Sequence, residues 1–346
     1  MTMTRCRCTL GSMQITAGEA PTGLGGVGMT TDTSLALRHL IVVASLLATT
    51  YLASAQDAYP KHVVKIIVPV VPGIAAADVL PRIVADKLTG RLGQAFIIEN
   101  KPGANSNIGA EFVADAAPDG YTLLATPSPP LVTNQYFYSR LNFDPGGFVP
   151  VTIIASLPNV LVVNPKDPFG SLPEFIAYAK SNPDKLTYGS PGVGSSPYLA
   201  MEWLKHLAGI QITHVPYNGI SPIMKDVLAG TIDMTFANTF TVLPQTKAGQ
   251  MRALGVDSAK RFEDLPNVPA IAETFPGFVV TSWFAIVAPP KTPPQIAETL
   301  SSAIAEILKE PDVVAKLRDL SAAGIGNSPS EAAQFIESER ERYQRA

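Results

Sequence analysis

The chain has 346 residues, of which 46% are hydrophobic and 16% charged, and its formal net charge is −3. This length is sufficient for two domains, because single hydrophobic cores stop growing at about 250–300 residues. The slightly acidic balance gives no reason to expect nucleic acid as a partner, since nucleic-acid binding requires a basic face.

The first 55 residues have the pattern of an export signal. From Met29, basic residues precede an apolar run at 40–52, and Ala53-Ser54-Ala55 follows as a small-x-small cleavage site. The run is shorter than the about 20 residues of a transmembrane helix, although an uncleaved anchor is the alternative. We therefore predict that 1–55 comprise an N-terminal extension and a signal peptide that begins at Met29, with cleavage after Ala55 and a periplasmic location.

Short apolar runs then alternate with helix-like segments, which is the pattern of an α/β protein. The predicted strands are 64–68, 95–99, 122–125, 160–163, 186–188, 213–215, 233–237, 253–256 and 283–288. The predicted helices are 76–92, 107–116, 172–181, 197–208, 222–229, 294–309 and 329–344. Ser or Thr three residues before Glu or Gln predicts helix caps at 171–174, 292–295 and 328–331.

Two predicted strand-to-helix turns combine small residues with a helix N-terminus. The first runs through Pro72, Gly73, Ile74 and Ala75, and the second is the Gly-Ser-rich loop 188–197. Helix N-termini attract anions because their first N–H groups lack partners and the helix dipole is positive there. Either segment could equally be an ordinary turn, since Gly and Pro are common in turns.

Other candidate ligand contacts also follow predicted strands. Thr126 and Ser128 follow the strand 122–125, and Asn238 follows the strand 233–237. Ligands of α/β proteins bind outside the carboxyl ends of strands, so these residues and the two turns are predicted to share a cleft. Trp283 opens a late strand and either faces this cleft or packs in the core.

The sequence lacks the motifs of the common catalytic and cofactor sites. Both cysteines lie within the first 55 residues, and none of the remaining histidines has a partner at metal-ligand spacing. Phosphate-loop and nucleophile-elbow motifs are absent, and Gly192-Val193-Gly194 lacks the third glycine of a dinucleotide fingerprint. We therefore predict no catalytic residue, no metal, no cofactor and no enzymatic activity.

Several blocks of the sequence resemble the solute-binding receptors of the tripartite tricarboxylate transporter, the Bug or TctC-like family. They include YPKHVVKIIVPVVPGIAAADVLPRIVADKL, GQAFIIENKPGANSNIGAEFVADAAPDGYTLL, HVPYNG and LAGTIDMTFAN, and the resemblance continues to the C-terminus. It implies a type II periplasmic-binding-protein fold with two α/β lobes and a ligand cleft between them. The expected lobe 1 comprises 56–158 and 282–346, and lobe 2 comprises 159–281.

The resemblance also implies where a ligand carboxylate is held. In the family, the turn after the first strand and the Gly-Ser-rich loop bind the carboxylate, largely through backbone amides and ordered water. The corresponding residues of the first turn are Pro72, Gly73, Ile74, Ala75 and Asp78. Those of the loop are Ser190, Gly194, Ser195 and Ser196.

The sequence departs from the family pattern at three positions. Ile74 stands where a second glycine is usual, Tyr198 where His is usual, and Asn218 where Lys is usual. Ile74 adds apolar surface, and the other two remove possible positive charge. An aromatic or longer aliphatic carboxylate is therefore expected in preference to a small, highly charged acid such as citrate.

The sequence thus predicts a monomeric receptor that captures an organic carboxylate by lobe closure and delivers it to membrane transporter subunits. One alternative is a ligand-sensing module for a membrane signalling partner, which would use the same cleft. Another is a periplasmic hydrolase on the same scaffold, which would require a nucleophile and a base that the sequence does not reveal.

Overall fold

The computed structural model describes residues 59–73 and 75–345. The predicted extension, signal peptide and cleavage site lie outside these residues, and so does Ile74. None of the described helices is both long and apolar enough to cross a membrane.

The described chain contains eleven strands and ten α-helices. The strands are β1 (Val64–Val68), β2 (Phe96–Asn100), β3 (Thr122–Pro127), β4 (Val149–Leu157), β5 (Asn159–Val163), β6 (Thr187–Ser190), β7 (Thr213–Pro216), β8 (Met234–Asn238), β9 (Arg252–Val256), β10 (Ser282–Ala288) and β11 (Ala323–Gly324). The helices are α1 (Ala76–Leu92), α2 (Asn107–Ala114), α3 (Asn134–Phe137), α4 (Leu172–Ser181), α5 (Ser196–Ala208), α6 (Ile220–Ala229), α7 (Thr239–Lys247), α8 (Pro294–Ile307), α9 (Pro311–Asp319) and α10 (Pro329–Arg345).

The strands form two mixed sheets, one in each lobe. The first sheet has the order β11-β4-β10-β3-β1-β2, and the second has the order β7-β6-β8-β5-β9. In the first, β1 lies parallel to β2 and β3, while β10 runs antiparallel to β3 and β4. In the second, β6 lies parallel to β7 and β8, while β5 runs antiparallel to β8 and β9. The fold is therefore α/β with two lobes, as predicted.

Both faces of each sheet are covered by apolar packing. In β1, the consecutive side chains of Ile66 and Ile67 are both fully buried and belong to core clusters on opposite faces. Leu161 and Val162 of β5 divide between the two faces of the second sheet in the same way. Continuous apolar runs are typical of strands buried on both faces, which explains why the sequence located most of them.

The predicted helix caps have mixed outcomes. Ser171 Oγ accepts the backbone N–H of Glu174, and Ser328 and Glu331 bond reciprocally, so two caps are confirmed. The third prediction is wrong, because Thr292 Oγ1 donates to the carbonyl of Pro289 and α8 begins without a side-chain cap.

The chain passes between the sheets twice. It leaves β4 and enters β5 through Pro158, and it returns between β9 and β10 over residues 257–281. Asp257 at the start of the return segment is fully buried and accepts hydrogen bonds from the backbone N–H and Nδ2 of Asn159, at 2.7 and 2.6 Å. The Val280 N–H at its far end donates to the Asp257 carbonyl, so both crossings are tied together.

Candidate ligand-binding cleft

A cavity of about 460 Å³ lies between the two lobes, where several parallel strands end and helices begin. The first lobe lines it with parts of 69–77 and 102–106, with Pro127 and Pro129, and with Ser282 and Phe284. The second lobe contributes residues from 191–197, 218–222 and 237–241. The N-termini of α1, α2, α5, α6 and α7 all lie at this lining.

The part of the lining that the structure describes contains no Asp, Glu, Lys, Arg or His side chain. Its polar side chains are neutral, and prolines, alanines and glycines supply much of the remaining surface. The polar lining residues are Asn105, Ser106, Ser195, Ser196, Asn218, Ser221, Asn238, Thr241 and Ser282. An anion in this cavity would therefore be held by backbone N–H groups, helix dipoles and neutral donors rather than by an ion pair.

The first predicted turn lies at the cavity, but Asp78 does not line it. Pro72, Gly73 and Ala75 are lining residues, whereas the Asp78 carboxylate accepts hydrogen bonds from the Gly73 N–H and from the side chains of Arg82 and Asn100. Burial raises the pKa of Asp78, but these bonds and the Arg82 charge outweigh it and hold the pKa below its usual value. Asp78 thus fixes the turn that carries Gly73.

The Gly-Ser-rich loop contributes Ser195 and Ser196 to the lining, while Ser190 lies outside it. Ser190 Oγ is buried, accepts the Gly192 N–H and lies 2.8 Å from Nε2 of His214. Burial lowers the pKa of His214. This pair has the composition of a nucleophile and a base, but its serine is buried and does not line the cavity.

Gly194 lies at a direct contact between the lobes instead of in the lining. Its carbonyl accepts a hydrogen bond of 2.8 Å from Thr133 Oγ1, and Asn105 Nδ2 donates to the neighbouring Val193 carbonyl, also at 2.8 Å. Gly194 has a φ of +83°, and a Cβ added there would lie 3.0 Å from Phe137 Cδ2. Only a glycine is small enough for the lobes to approach this closely without displacement.

Three further candidates face away from the cavity because strand residues alternate between faces. Pro127 and Pro129 line it, whereas Thr126 and Ser128 are buried outside the lining. In β10, Ser282 and Phe284 line the cavity. Trp283 between them is buried on the opposite face, where its Nε1–H donates to Glu339 at 2.9 Å. The core alternative for Trp283 is therefore the one that the structure shows.

Asn238 lines the cavity and is the last residue of β8, one residue beyond the predicted strand 233–237. The sequence analysis missed Asn105 and Ser106, which follow β2 in the segment Gly-Ala-Asn-Ser and also line the cavity. Residues 104–106 all have positive φ values although none is glycine, which marks an uncommon backbone conformation. Small and polar residues after a predicted strand were the available signal, the same one that located Asn238.

We predict that Trp283→Phe lowers stability without changing ligand affinity. Phenylalanine keeps the aromatic packing against Phe335 but removes the donor to the buried Glu339 carboxylate, which should cost about 1–3 kcal/mol. Urea unfolding measures the first effect and calorimetric titration the second. A loss of affinity with unchanged stability would place Trp283 in the binding site after all.

The fold and the cleft together define a two-lobed solute-binding protein. Residues 80–346 match the sequence model of the TctC family, the tripartite tricarboxylate transporter family receptors. The chain belongs to this family of receptors.

Individual relatives agree with this assignment. Protein BugT of Bordetella pertussis is 33% identical over 311 residues, which cover 88% of this chain and 95% of BugT. The structure of Rpa4515 of R. palustris with adipate is 35% identical, with a TM-score of 0.79, and the match covers 83% of this chain and 96% of that one. The structure of MatC from Rhodopseudomonas palustris with bound malate is 29% identical, with a TM-score of 0.77, and covers 82% and 98% of the two chains.

Proposed function

We propose that this protein is a periplasmic receptor that captures a small organic carboxylate between its lobes and delivers it to a tripartite tricarboxylate-type membrane transporter. The observation that carries the proposal is an uncharged cavity at which five helices from both lobes begin. Helix N-termini stabilise a carboxylate through free N–H groups and oriented dipoles, without the desolvation of a partner cation. Bound adipate and malate in two family members support the carboxylate class.

The apolar share of the lining favours a ligand with an extended carbon skeleton. Prolines lie around the cavity, and Phe284 and Ile220 add larger apolar surfaces. A longer aliphatic or aromatic monocarboxylate or dicarboxylate buries its carbon atoms against these residues. A tricarboxylate such as citrate would bring three charges against described lining residues that include no cation, which is costly.

Ligand capture would use hinge closure. Loops of both lobes line the cavity, so a bound molecule contacts both lobes only when they are together, and binding shifts the equilibrium towards this closed arrangement. Delivery to a transporter and signalling to a membrane partner require the same closure. We favour delivery because the family is that of the transporter receptors.

Thermal unfolding of the mature protein tests the proposal. Adipate, malate, hexanoate and benzoate are the acids, while adipamide and 1,6-diaminohexane are matched neutral and cationic controls. We expect at least one acid, and neither control, to raise the melting temperature in a concentration-dependent way, because a ligand that binds only the folded state stabilises it. Stabilisation by the diamine alone, or by no acid, would contradict carboxylate binding.

A further inference from the structure

A chain of hydrogen bonds connects one wall of the cavity to the buried carboxyl group of Asp257. Asn159, whose Nδ2 donates to Asp257, accepts through its Oδ1 from Asn238 Nδ2 at 2.8 Å and from Ser282 Oγ at 3.1 Å. Asn238 and Ser282 line the cavity, whereas Asn159 and Asp257 do not. We call Asn238 and Ser282 the hinge wall, because they lie beside the two chain crossings.

The arrangement fixes which atoms of the hinge wall donate and which accept. A primary amide has one donating and one accepting end, and an ionised carboxylate only accepts. With Asp257 accepting twice, Asn159 turns its oxygen towards the hinge wall, and both wall residues donate to it. The amide oxygen of Asn238, its second N–H and the lone pairs of Ser282 Oγ are then the groups left for a ligand, so the wall mainly accepts hydrogen bonds.

We propose that the charge state of Asp257, relayed by Asn159, sets whether the hinge wall mainly accepts or mainly donates hydrogen bonds, and thereby which organic acids the cleft prefers. With Asp257 ionised, the wall favours an acid whose far end carries a hydroxyl donor and disfavours a second carboxylate. With Asp257 protonated, its O–H donates to the oxygen of a reversed Asn159 amide, and the wall offers the N–H groups of Asn238 and the O–H of Ser282 to a second carboxylate. The inference rests on the proposed carboxylate-binding function.

The surroundings of Asp257 allow both charge states at accessible pH. Burial raises the pKa of Asp257 to about 8, while the bonds from Asn159 and the charge of Arg342 act in the opposite direction. The other titratable groups on this side come from α10: Tyr343, whose pKa burial raises to about 12, and Glu339, which is paired with Arg342 at 2.8 Å. Asp257 and Asn159 act as positioning residues, since a ligand touches neither.

The test uses three acids with the same six-carbon skeleton: hexanoate, 6-hydroxyhexanoate and adipate. Their affinities are measured by calorimetric titration at pH 6 and pH 9 for the wild type and for Asp257→Asn, which presents an amide donor to Asn159 at every pH. Asp233→Asn is the matched control, because Asp233 accepts from Thr187 at the opposite end of β8 from the cavity. Ser282→Ala removes one wall acceptor and serves as a second variant if Asp257→Asn does not fold.

The readout is the ratio of the affinities for 6-hydroxyhexanoate and adipate. In the wild type it should favour the hydroxy acid at pH 9 and fall by about 10-fold at pH 6, the effect of one hydrogen bond gained and another lost. Asp257→Asn should have the low ratio at both pH values, Asp233→Asn should follow the wild type, and Ser282→Ala should lower the ratio at pH 9. The wild-type ratio could also be the same at both pH values and yet be lowered by Asp257→Asn. This result would support the effect of Asp257 on the hinge wall through Asn159, with Asp257 ionised throughout.

Two outcomes overturn the inference in different ways. If Asp257→Asn, or Ser282→Ala in its place, leaves the ratio at its wild-type value at pH 9, the hinge wall does not set the preference, although the receptor function stands. If none of the three acids binds the wild type at either pH, carboxylate binding itself is wrong for this class of acid, and the relay falls with it.

Discussion

Replacing Gly194 with alanine is expected to weaken carboxylate binding by about 5- to 150-fold while leaving both lobes folded. The added Cβ would lie 3.0 Å from Phe137 Cδ2 and 3.3 Å from Thr133 Oγ1, both on the opposite lobe. These contacts exist only while the lobes are together. Overpacking of this kind costs about 1–3 kcal/mol, and here the cost falls on the closed arrangement that holds the ligand.

Gly209→Ala is the matched control for the backbone effect. Gly209 has a φ of +62° in the same lobe, but a Cβ there would have no neighbour within 4 Å. Both substitutions should lower stability by about 1–2 kcal/mol, because a left-handed backbone conformation disfavours alanine. Only Gly194→Ala should lower the affinity for the acid that proves strongest in thermal unfolding.

Removing the Phe137 side chain that the added Cβ would contact tests the closed arrangement more directly than Gly194→Ala alone. Shortening Phe137 to alanine in the Gly194→Ala background removes one of the two obstructing groups, so calorimetric titration should recover part of the lost affinity. Small-angle scattering should show that Gly194→Ala compacts less than the wild type when saturated with the same acid. Equal affinities for Gly194→Ala and Gly209→Ala would show that the lobes do not meet at this loop in the ligand-bound state.

The sequence predicted nine of the eleven described strands and missed β4 and β11. Runs such as β1 and β8 are apolar and bounded by turn residues, so their periodicity and length identify them. β4 was missed because Pro158 alone separates it from β5, and no helix intervenes to show that the two strands belong to different sheets. β11 has only two residues and forms solely by pairing with β4.

Three helices were missed for different reasons. α7 has the sequence TFTVLPQTK, in which β-branched residues and Pro244 disfavour a helix, so tertiary packing overrides local propensity there. α3 has only four residues, too few for a periodic pattern. α9 begins at Pro311, just after the end of the predicted helix 294–309, and no second helix was predicted there.

The cleft was predictable as a region but not residue by residue. The strand-end rule pointed to Gly73, Ser195 and Asn238 because each lies at or after the carboxyl end of a strand, in one sheet or the other. It could not decide between Trp283 and its neighbours, since a shift of one residue along a strand exchanges the cleft face for the core face. The relay through Asn159 joins residues about 80 and 100 positions apart, which no local pattern encodes.

The pH dependence of stability should show the effect of burying Asp257. The pKa of an unfolded Asp is about 3.9, whereas burial raises that of Asp257 in the folded protein to about 8. Between these values the folded state keeps a proton that the unfolded state has released. Stability must therefore fall as the pH rises through this window and level off above about pH 8.

The contribution of Asp257 to the pH dependence of stability is best isolated between pH 6 and pH 8. The pKa of Asp167 is also raised by burial, but only to about 6, so its contribution to the slope is complete near the lower limit. Over the two remaining pH units the wild type should lose about 2–3 kcal/mol through Asp257. Asp257→Asn removes the titrating group. The stability of this variant should therefore fall by about 2–3 kcal/mol less than that of the wild type over the same range.

Urea unfolding at pH 6, 7 and 8 measures this difference, and comparison of the two proteins cancels the contributions of the histidines. The sign of the pH dependence of stability distinguishes a raised pKa of Asp257 from a lowered one. A carboxylate held ionised by Asn159 and Arg342 would have a lowered pKa and would stabilise the protein as the pH rises from acid, with no slope above pH 6. Parallel curves for the wild type and Asp257→Asn would therefore show that Asp257 is ionised throughout this range, and that the hinge wall accepts hydrogen bonds at every pH tested.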